Sequence, residues 1–391
     1  MHPPSSATLH HMMRPLSILA PTRYPWRFNA PRTSRHHIEN RRFLPLNYLS
    51  PRIEGVTLFN PWPPHRFDLI HAFNRIPLGR LPFVIGFESH LPRAFGWEHS
   101  AWFRWMTRRL ATDGCRAIVA ISEFARRIFL ARHPDATALR GKLHVRYPNL
   151  VIPDLPDMFD PLEHGPVRLV FVGNHFARKG GCVAVTMAEL AHQKGIPVEL
   201  DVVSRLEMGG AIWTDPAEQE HFVRYRARLR LPNVRLHQDL PNASVLDLLR
   251  RAHFSILATF GDTFGYSALE SMANGTPVIA TRQGALPELI THRQNGILLD
   301  LPTTQEGEWV HLNTPDRRAS AFVRHWHDEV RRLAEAALGA LQETMADRTR
   351  FAAMRACARQ SVQRFSADAA ARFWDDFYER AVEGIVPAAE S

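Results

Sequence analysis

Cysteine, long apolar runs and an apolar leader are scarce or absent in this sequence. Its three cysteines, Cys115, Cys182 and Cys357, lie far apart without the spacing of a metal or redox motif. That pattern argues against a disulfide framework and favours a reducing compartment. No apolar run approaches the roughly 20 residues of a membrane-spanning helix. The first dozen residues contain Pro, Ser and His without an apolar core, unlike a secretory signal. We therefore expect a cytoplasmic protein.

Acidic residues are outnumbered, and arginine supplies most of the excess positive charge. The net charge is +9 and the isoelectric point is about 10.0. There is no zinc-finger spacing, RNA-recognition signature or continuous basic tail, so we expect no nucleic-acid partner. Anionic lipid surfaces or phosphate-bearing acceptors suit the charge better.

Residues 101–110 combine arginines with aromatic side chains and predict a helix. Such a helix either lies in a membrane interface or packs Trp102, Trp105 and Met106 into a core. The first alternative would place the protein peripherally on the inner face of the cell membrane. The sequence leaves both alternatives open.

Short apolar runs alternate with helical patterns, which predicts a parallel α/β architecture with two doubly wound halves. Predicted strands lie at 16–20, 67–71, 82–87, 116–121, 167–172, 200–203, 234–237 and 254–258. The segment 147–166 is rich in Pro and Asp and predicts a linker. We therefore expect a first domain over residues 1–158 and a second over 159–391.

The C-terminal segment predicts a helix over about 365–384, capped by Ser366. Its aromatic residues, Phe373, Trp374, Phe377 and Tyr378, share one face. Asp375 and Asp376 are expected on a solvated face of this helix.

The segment from Phe254 to Thr281 reads as a strand, a loop, a short helix and a second strand. A loop followed by a helix N-terminus is a favourable site for phosphate, because free backbone N–H groups and the helix dipole converge there. The backbone around Phe264, Gly265, Tyr266 and Ser267 is the predicted contact. Asp262 and Glu270, on either side, have carboxylates that can bind hydroxyl groups. Phosphate and hydroxyl groups together indicate a sugar nucleotide.

This segment resembles the Glu-x7-Glu motif of the retaining glycosyltransferases of family 4, which have the two-domain GT-B fold. The resemblance implies that Asp262, shorter than the usual Glu, contacts the donor sugar and that Glu270 binds the ribose. It also implies a metal-independent reaction in an interdomain cleft, and a terminal helix that crosses back to the first domain. As an alternative, Ser267 and Glu270 have the spacing of a capping box, in which Glu270 would bind its own helix.

A glycine-rich loop, residues 173–181, follows the strand at 167–172 and precedes a helix. Glycines allow a ligand to approach the backbone closely, and Lys179 supplies a cation for a diphosphate. The loop resembles the family's Gly-Arg-x4-Lys-Gly element, with Gly173 and Lys179 in register. Asn174 stands at the arginine position, and Arg178 is a nearby cation. A solvated basic loop is the structural alternative.

In the first domain, the strand ending at Phe87 is followed by Glu88 and His90. Family members usually carry a histidine here that faces the donor sugar, so the resemblance implies that one of these residues contacts sugar or acceptor. A hydrogen-bonded structural histidine is the alternative. The Gly-Gly loop expected after the first strand is missing.

Together these patterns predict a retaining glycosyltransferase without a metal or other cofactor. Its donor would be a UDP-, GDP- or ADP-sugar, and its acceptor a glycan or a lipid-linked oligosaccharide. Two alternatives remain: a sugar-nucleotide epimerase of the same fold, and a non-catalytic binder of sugar nucleotides or polyanions.

Overall fold

A computed structural model describes residues 14–22, 29–46, 50, 53–59, 66–155, 165–210 and 213–385. Each half of the chain contributes one six-stranded sheet, and the first half adds a small three-stranded sheet. No helix within these ranges is long and apolar enough to cross a membrane. The predicted boundary between residues 158 and 159 lies outside the described residues.

The first large sheet has only parallel neighbours, in the order β2-β1-β5-β7-β8-β9. Its strands are β1 (Ser17–Pro21), β2 (His37–Arg41), β5 (Leu69–Phe73), β7 (Phe83–Phe87), β8 (Cys115–Ala120) and β9 (Leu143–Val145). The small sheet contains β3 (Phe43–Pro45), β4 (Val56–Phe59) and β6 (Ile76–Pro77). The central strands β5 and β7 are buried throughout. Near-continuous apolar runs are what strands covered on both faces require.

The predicted strands are all present, with ends shifted by at most two residues. The sequence predicted no strand between β1 and β5, but β2, β3 and β4 lie there. Strand β2 occupies the sheet edge and reads His-Ile-Glu-Asn-Arg, with only Arg41 buried. An edge strand has one unpaired side and needs no continuous apolar run, so its pattern gives a weak signal.

The first half also contains helices α1 (Ala101–Ala111), α2 (Glu123–Arg132) and α3 (Thr137–Arg140). The Ser122 side chain caps α2, accepting a hydrogen bond from the Ala125 N–H at 3.0 Å. In α1, Met106 is buried and Trp105 is 41% exposed. The core-packing alternative for this helix therefore holds for Met106 and fails for Trp105.

The second large sheet is also fully parallel, in the order β12-β11-β10-β13-β14-β15. Its strands are β10 (Val167–Val172), β11 (Val198–Val203), β12 (Val234–His237), β13 (Phe254–Leu257), β14 (Val278–Thr281) and β15 (Gly296–Leu299). Its helices are α4 (Gly181–Gln193), α5 (Val223–Arg228), α6 (Asn242–Arg251), α7 (Tyr266–Ala273), α8 (Leu286–Leu289), α9 (Ser320–Met345) and α10 (Arg348–Ser361). The chain order changes direction between β10 and β13, and ligands of open α/β sheets bind at such a switch point.

The terminal helix α11 (Ala367–Glu383) packs against the first sheet, as predicted. Trp374 and Tyr378 are fully buried there, and the Tyr378 hydroxyl lies 2.7 Å from Nδ1 of buried His71. The prediction of a solvated Asp375 was wrong. Its side chain accepts hydrogen bonds from Ser34 Oγ at 2.5 Å and from the Arg35 N–H at 3.1 Å.

Candidate functional site

The glycine-rich loop after β10 lies directly against the chain that leaves β13. Gly180 has φ +90°, and a Cβ at this position would lie 2.3 Å from the carbonyl oxygen of Ala258. Only glycine fits that approach. At Gly173, a Cβ would contact the Lys179 side chain at 3.0 Å. The glycines therefore place Lys179 close to the acidic loop that follows β13.

Arg178 joins the two loops. Its guanidinium donates a hydrogen bond to the Gly261 carbonyl at 2.7 Å. Its own carbonyl accepts from the Phe260 N–H at 2.9 Å and from the Thr259 hydroxyl at 2.8 Å. Arg178 thus fixes the backbone immediately before Asp262. The sequence did not predict this structural role of Arg178.

Lys179 and Asp262 form an ion pair where the two loops meet. Their side chains are only 19% and 9% exposed. Burial opposes ionisation of Asp262, but Lys179 and Arg178 outweigh it and lower the pKa of the carboxyl below its usual value. Asp262 Oδ1 also accepts a hydrogen bond from the Phe264 N–H at 3.4 Å. The two charged residues predicted from separate motifs are therefore in direct contact.

Helix α7 begins immediately after this pair, and its N-cap is Gly265 with φ +86°. Gly265 has no side chain to satisfy the first N–H groups of the helix, so they have no side-chain cap. The capping-box alternative for Ser267 and Glu270 was wrong, because Ser267 lies inside the helix. Its buried hydroxyl has no hydrogen-bond partner within the described structure.

Glu270 lies one helical turn after Tyr266, on the same face of α7. Burial raises the pKa of Glu270, and the positive charge of Arg32 opposes that rise. Arg32 comes from the first domain, and its Nη2 lies 3.3 Å from the Tyr266 hydroxyl. No site role for Arg32 was predicted, because its only distinguishing feature in the sequence is its position in an arginine-rich segment.

Asn174 is exposed, and its backbone carbonyl accepts a hydrogen bond from the Glu207 N–H at 2.9 Å. The side-chain amide of Asn174 is neutral, so it provides no cation at the position where the family element has arginine. A diphosphate-binding role for Asn174 and Gly173 stays a prediction.

Glu88 and His90 lie in the first domain after β7. Glu88 accepts hydrogen bonds from Asn74 Nδ2 at 3.1 Å and Arg93 Nη2 at 3.0 Å. His90 Nδ1 lies 2.7 Å from Ser89 Oγ, and burial, with Arg132 and Arg93 nearby, lowers the pKa of His90 to about 4. Within the described ranges neither residue has a hydrogen bond to the second domain. Their contact with sugar or acceptor stays a prediction.

Two acidic residues near the site were not predicted to contribute. Glu288 accepts hydrogen bonds across the domain boundary from the N–H groups of Glu123 and Phe124 at 2.9 and 2.6 Å. Buried Asp215 accepts from Gly209 and from Thr214, whose methyl group lies against Gly261. Asp215 has no sequence pattern that distinguishes it from a surface acid.

The segment that contains this site is similar to known proteins. Residues 166–308 match the family model of glycosyl transferases group 1. That segment contains Lys179, Asp262 and Glu270. The D-inositol 3-phosphate glycosyltransferases of Pseudarthrobacter chlorophenolicus and Acidothermus cellulolyticus are similar, at 30% identity over 142 residues and 28% over 204. These alignments cover 36% and 49% of this chain and 32% and 44% of the relatives, less than half of either relative.

Solved structures extend the similarity to both domains. The Anabaena Alr3699/HepE structure in complex with UDP has a TM-score of 0.58 at 17% identity, covering 93% of this chain and 98% of that one. Sucrose-phosphate synthase from Thermosynechococcus elongatus has a TM-score of 0.52 at 16% identity, covering 80% and 73%. The chain has the GT-B fold, as the sequence predicted.

Proposed function

We propose that this protein is a glycosyltransferase that transfers a sugar from a nucleotide-sugar donor to a hydroxyl group of an acceptor. The observation that carries the proposal is the ion pair of Lys179 and Asp262 beside the uncapped N-terminus of α7. A cation and free N–H groups stabilise a departing diphosphate, and a carboxylate accepts hydrogen bonds from sugar hydroxyls. Similarity to the family model over this segment supports the same reaction.

In this proposal Glu270 holds the ribose hydroxyls, Asp262 orients the sugar and Lys179 offsets the negative charge that develops on the leaving diphosphate. The bond from the sugar C1 to the diphosphate oxygen breaks, a bond from C1 to the acceptor oxygen forms, and the acceptor hydroxyl proton passes to the departing diphosphate. A net retention of configuration and independence from metal ions follow from the resemblance to family 4. Glu88 or His90 would face the sugar or acceptor from the first domain.

The proposed acceptor is a glycan or a lipid-linked oligosaccharide, and the protein would contact an anionic membrane peripherally. The support is the presence of exposed aromatic residues before and within α1: Phe95, Trp97 and Trp105 are 55%, 40% and 41% exposed. Arg104 and Arg108 lie in the same helix. Cosedimentation with anionic but not zwitterionic vesicles, lost in Trp105→Ala, tests this contact. Equal recovery with both vesicle types would refute it.

A thermal-shift screen against UDP, GDP, ADP and their sugar conjugates tests the donor site. A ligand that binds the folded state raises Tm by mass action. We expect one nucleotide to stabilise the wild type and to lose that effect in Glu270→Ala. Glu335→Ala, on the exposed face of α9, is the matched control and should respond like the wild type.

Turnover separates an enzyme from a binder. Without acceptor, the wild type should hydrolyse the stabilising donor slowly, and Lys179→Ala should hydrolyse it more slowly still. Binding without any turnover would support the non-catalytic alternative. The absence of a response to every nucleotide would refute the proposed function.

A further inference from the structure

The guanidinium of Arg32 lies across the domain boundary from helix α7. Its Nη2 is 3.3 Å from the Tyr266 hydroxyl and 3.3 Å from the Asn149 carbonyl oxygen. Both are neutral oxygens at long range for a charged donor. Among the described residues no carboxylate lies within ion-pair distance of Arg32. The guanidinium thus forms no ion pair with the described residues, and it acts on the Glu270 carboxyl from beyond ion-pair distance.

The face of α7 below Arg32 carries Tyr266 and Glu270, one turn apart. Arg32 acts electrostatically on Glu270, as its effect on the pKa of that carboxyl indicates. A nucleotide whose ribose is bound by Glu270 and whose diphosphate lies at the start of α7 would pass close to the Arg32 guanidinium. Arginine binds phosphate through two parallel hydrogen bonds, which a lysine cannot provide.

The loop that presents Arg32 is fixed on both sides by other parts of the fold. Trp374 Nε1 donates to the Asn29 carbonyl at 2.7 Å, and Asn149 Nδ2 donates to the Ala30 carbonyl at 2.9 Å. Beyond Arg32, Asp375 accepts the two hydrogen bonds from Ser34 and Arg35 described above. Most of these anchors belong to α11, which thus holds a first-domain loop against the second domain.

We propose that Arg32 binds the diphosphate of the donor nucleotide from the first-domain side of the cleft, positioned by the terminal helix. This inference rests on the proposed function and extends it: the donor site takes a residue from each domain. Asp375 is then a positioning residue that acts through the loop.

The test is the affinity for the nucleoside diphosphate identified in the thermal-shift screen, measured by calorimetry with the full chain. We expect Arg32→Gln to bind it about tenfold more weakly or worse, because a charged hydrogen bond is lost. The loss should be smaller for the corresponding nucleoside monophosphate. Arg42→Gln removes one charge from an exposed position of the same domain and should bind like the wild type.

Asp375→Ala should weaken diphosphate binding by a smaller factor than Arg32→Gln does, although Asp375 is not expected to touch the ligand. Ligand-free melting temperatures of all variants separate loss of a contact from loss of folding. If Arg32→Gln binds as tightly as Arg42→Gln, the inference is wrong while the proposed function stands. If the wild type binds no nucleotide, the proposed function fails and this inference with it. An unchanged affinity in Asp375→Ala would refute the positioning by α11.

Discussion

Glu288 of the second domain accepts a hydrogen bond from the backbone N–H of Phe124 in the first domain at 2.6 Å. Its other carboxylate oxygen accepts from the N–H of Glu123 at 2.9 Å. These N–H groups belong to the first turn of α2, so the carboxylate also meets the positive end of that helix dipole. One side chain thus joins the two domains of the fold.

Glu288→Ala should weaken the contact between the domains. The N–H groups of Glu123 and Phe124 at the start of α2 lose their partner, at a cost of about 2 kcal/mol. We expect a lower Tm and a larger radius of gyration by small-angle scattering. Glu335→Ala, which removes an exposed carboxylate, should leave both values unchanged. An unchanged radius of gyration in Glu288→Ala would show that other contacts hold the domains together.

Asp262→Asn should separate binding from turnover. Asp262 neutralises Lys179 in the ligand-free protein, so the neutral amide frees the lysine to attract a diphosphate. We expect the variant to bind the nucleoside diphosphate about tenfold more tightly and to turn over the sugar donor about 100-fold more slowly, because the sugar is misplaced. Calorimetry and donor hydrolysis measure the two quantities. Asp247→Asn, an exposed helical carboxylate, is the control. Weaker diphosphate binding in Asp262→Asn would contradict this account.

Gly265→Ala should destabilise the start of α7. The residue has φ +86°, and an added Cβ would lie 2.6 Å from Leu286 Cδ2. We expect a loss of about 1–3 kcal/mol in the free energy of unfolding from strain and overpacking. Gly339→Ala, in open space within α9, should instead stabilise by about 0.5–1 kcal/mol. Urea unfolding compares the two; equal effects would contradict the prediction.

Asp215 should make stability depend on pH. Burial raises the pKa of Asp215 from 3.8 to about 6, partly offset by the hydrogen bonds from Gly209 and Thr214. Between about pH 4 and pH 6 the folded state then holds a proton that the unfolded state releases, so the free energy of unfolding falls as pH rises. The full effect above pH 6 is about 3 kcal/mol at about 1.4 kcal/mol per pH unit.

Asp215→Asn removes this titration. Urea unfolding at pH 4 and pH 7 should show that the stability of the variant relative to the wild type increases at the higher pH. Both proteins share all other titrating groups, so the contributions of those groups to stability cancel in the comparison. A constant difference between the proteins at both pH values would mean that Asp215 titrates normally.

The sequence by itself determined the parallel sheets, because buried strands such as Phe83–Phe87 carry unbroken apolar runs. It also located the glycine-rich loop and the loop before α7, since glycine at a left-handed or crowded position is a local requirement. Edge strand β2 escaped prediction because an edge imposes only a weak pattern on its residues.

Only the tertiary structure decided how distant charges pair. Lys179 meets Asp262, Glu288 meets the start of α2, and Arg32 faces Glu270 from the other domain. Asp375, which reads as a surface acid, is buried against Ser34. A charged residue carries no local periodicity that names its partner, because the partner lies far away in the sequence and is set by how the two sheets and the terminal helix pack.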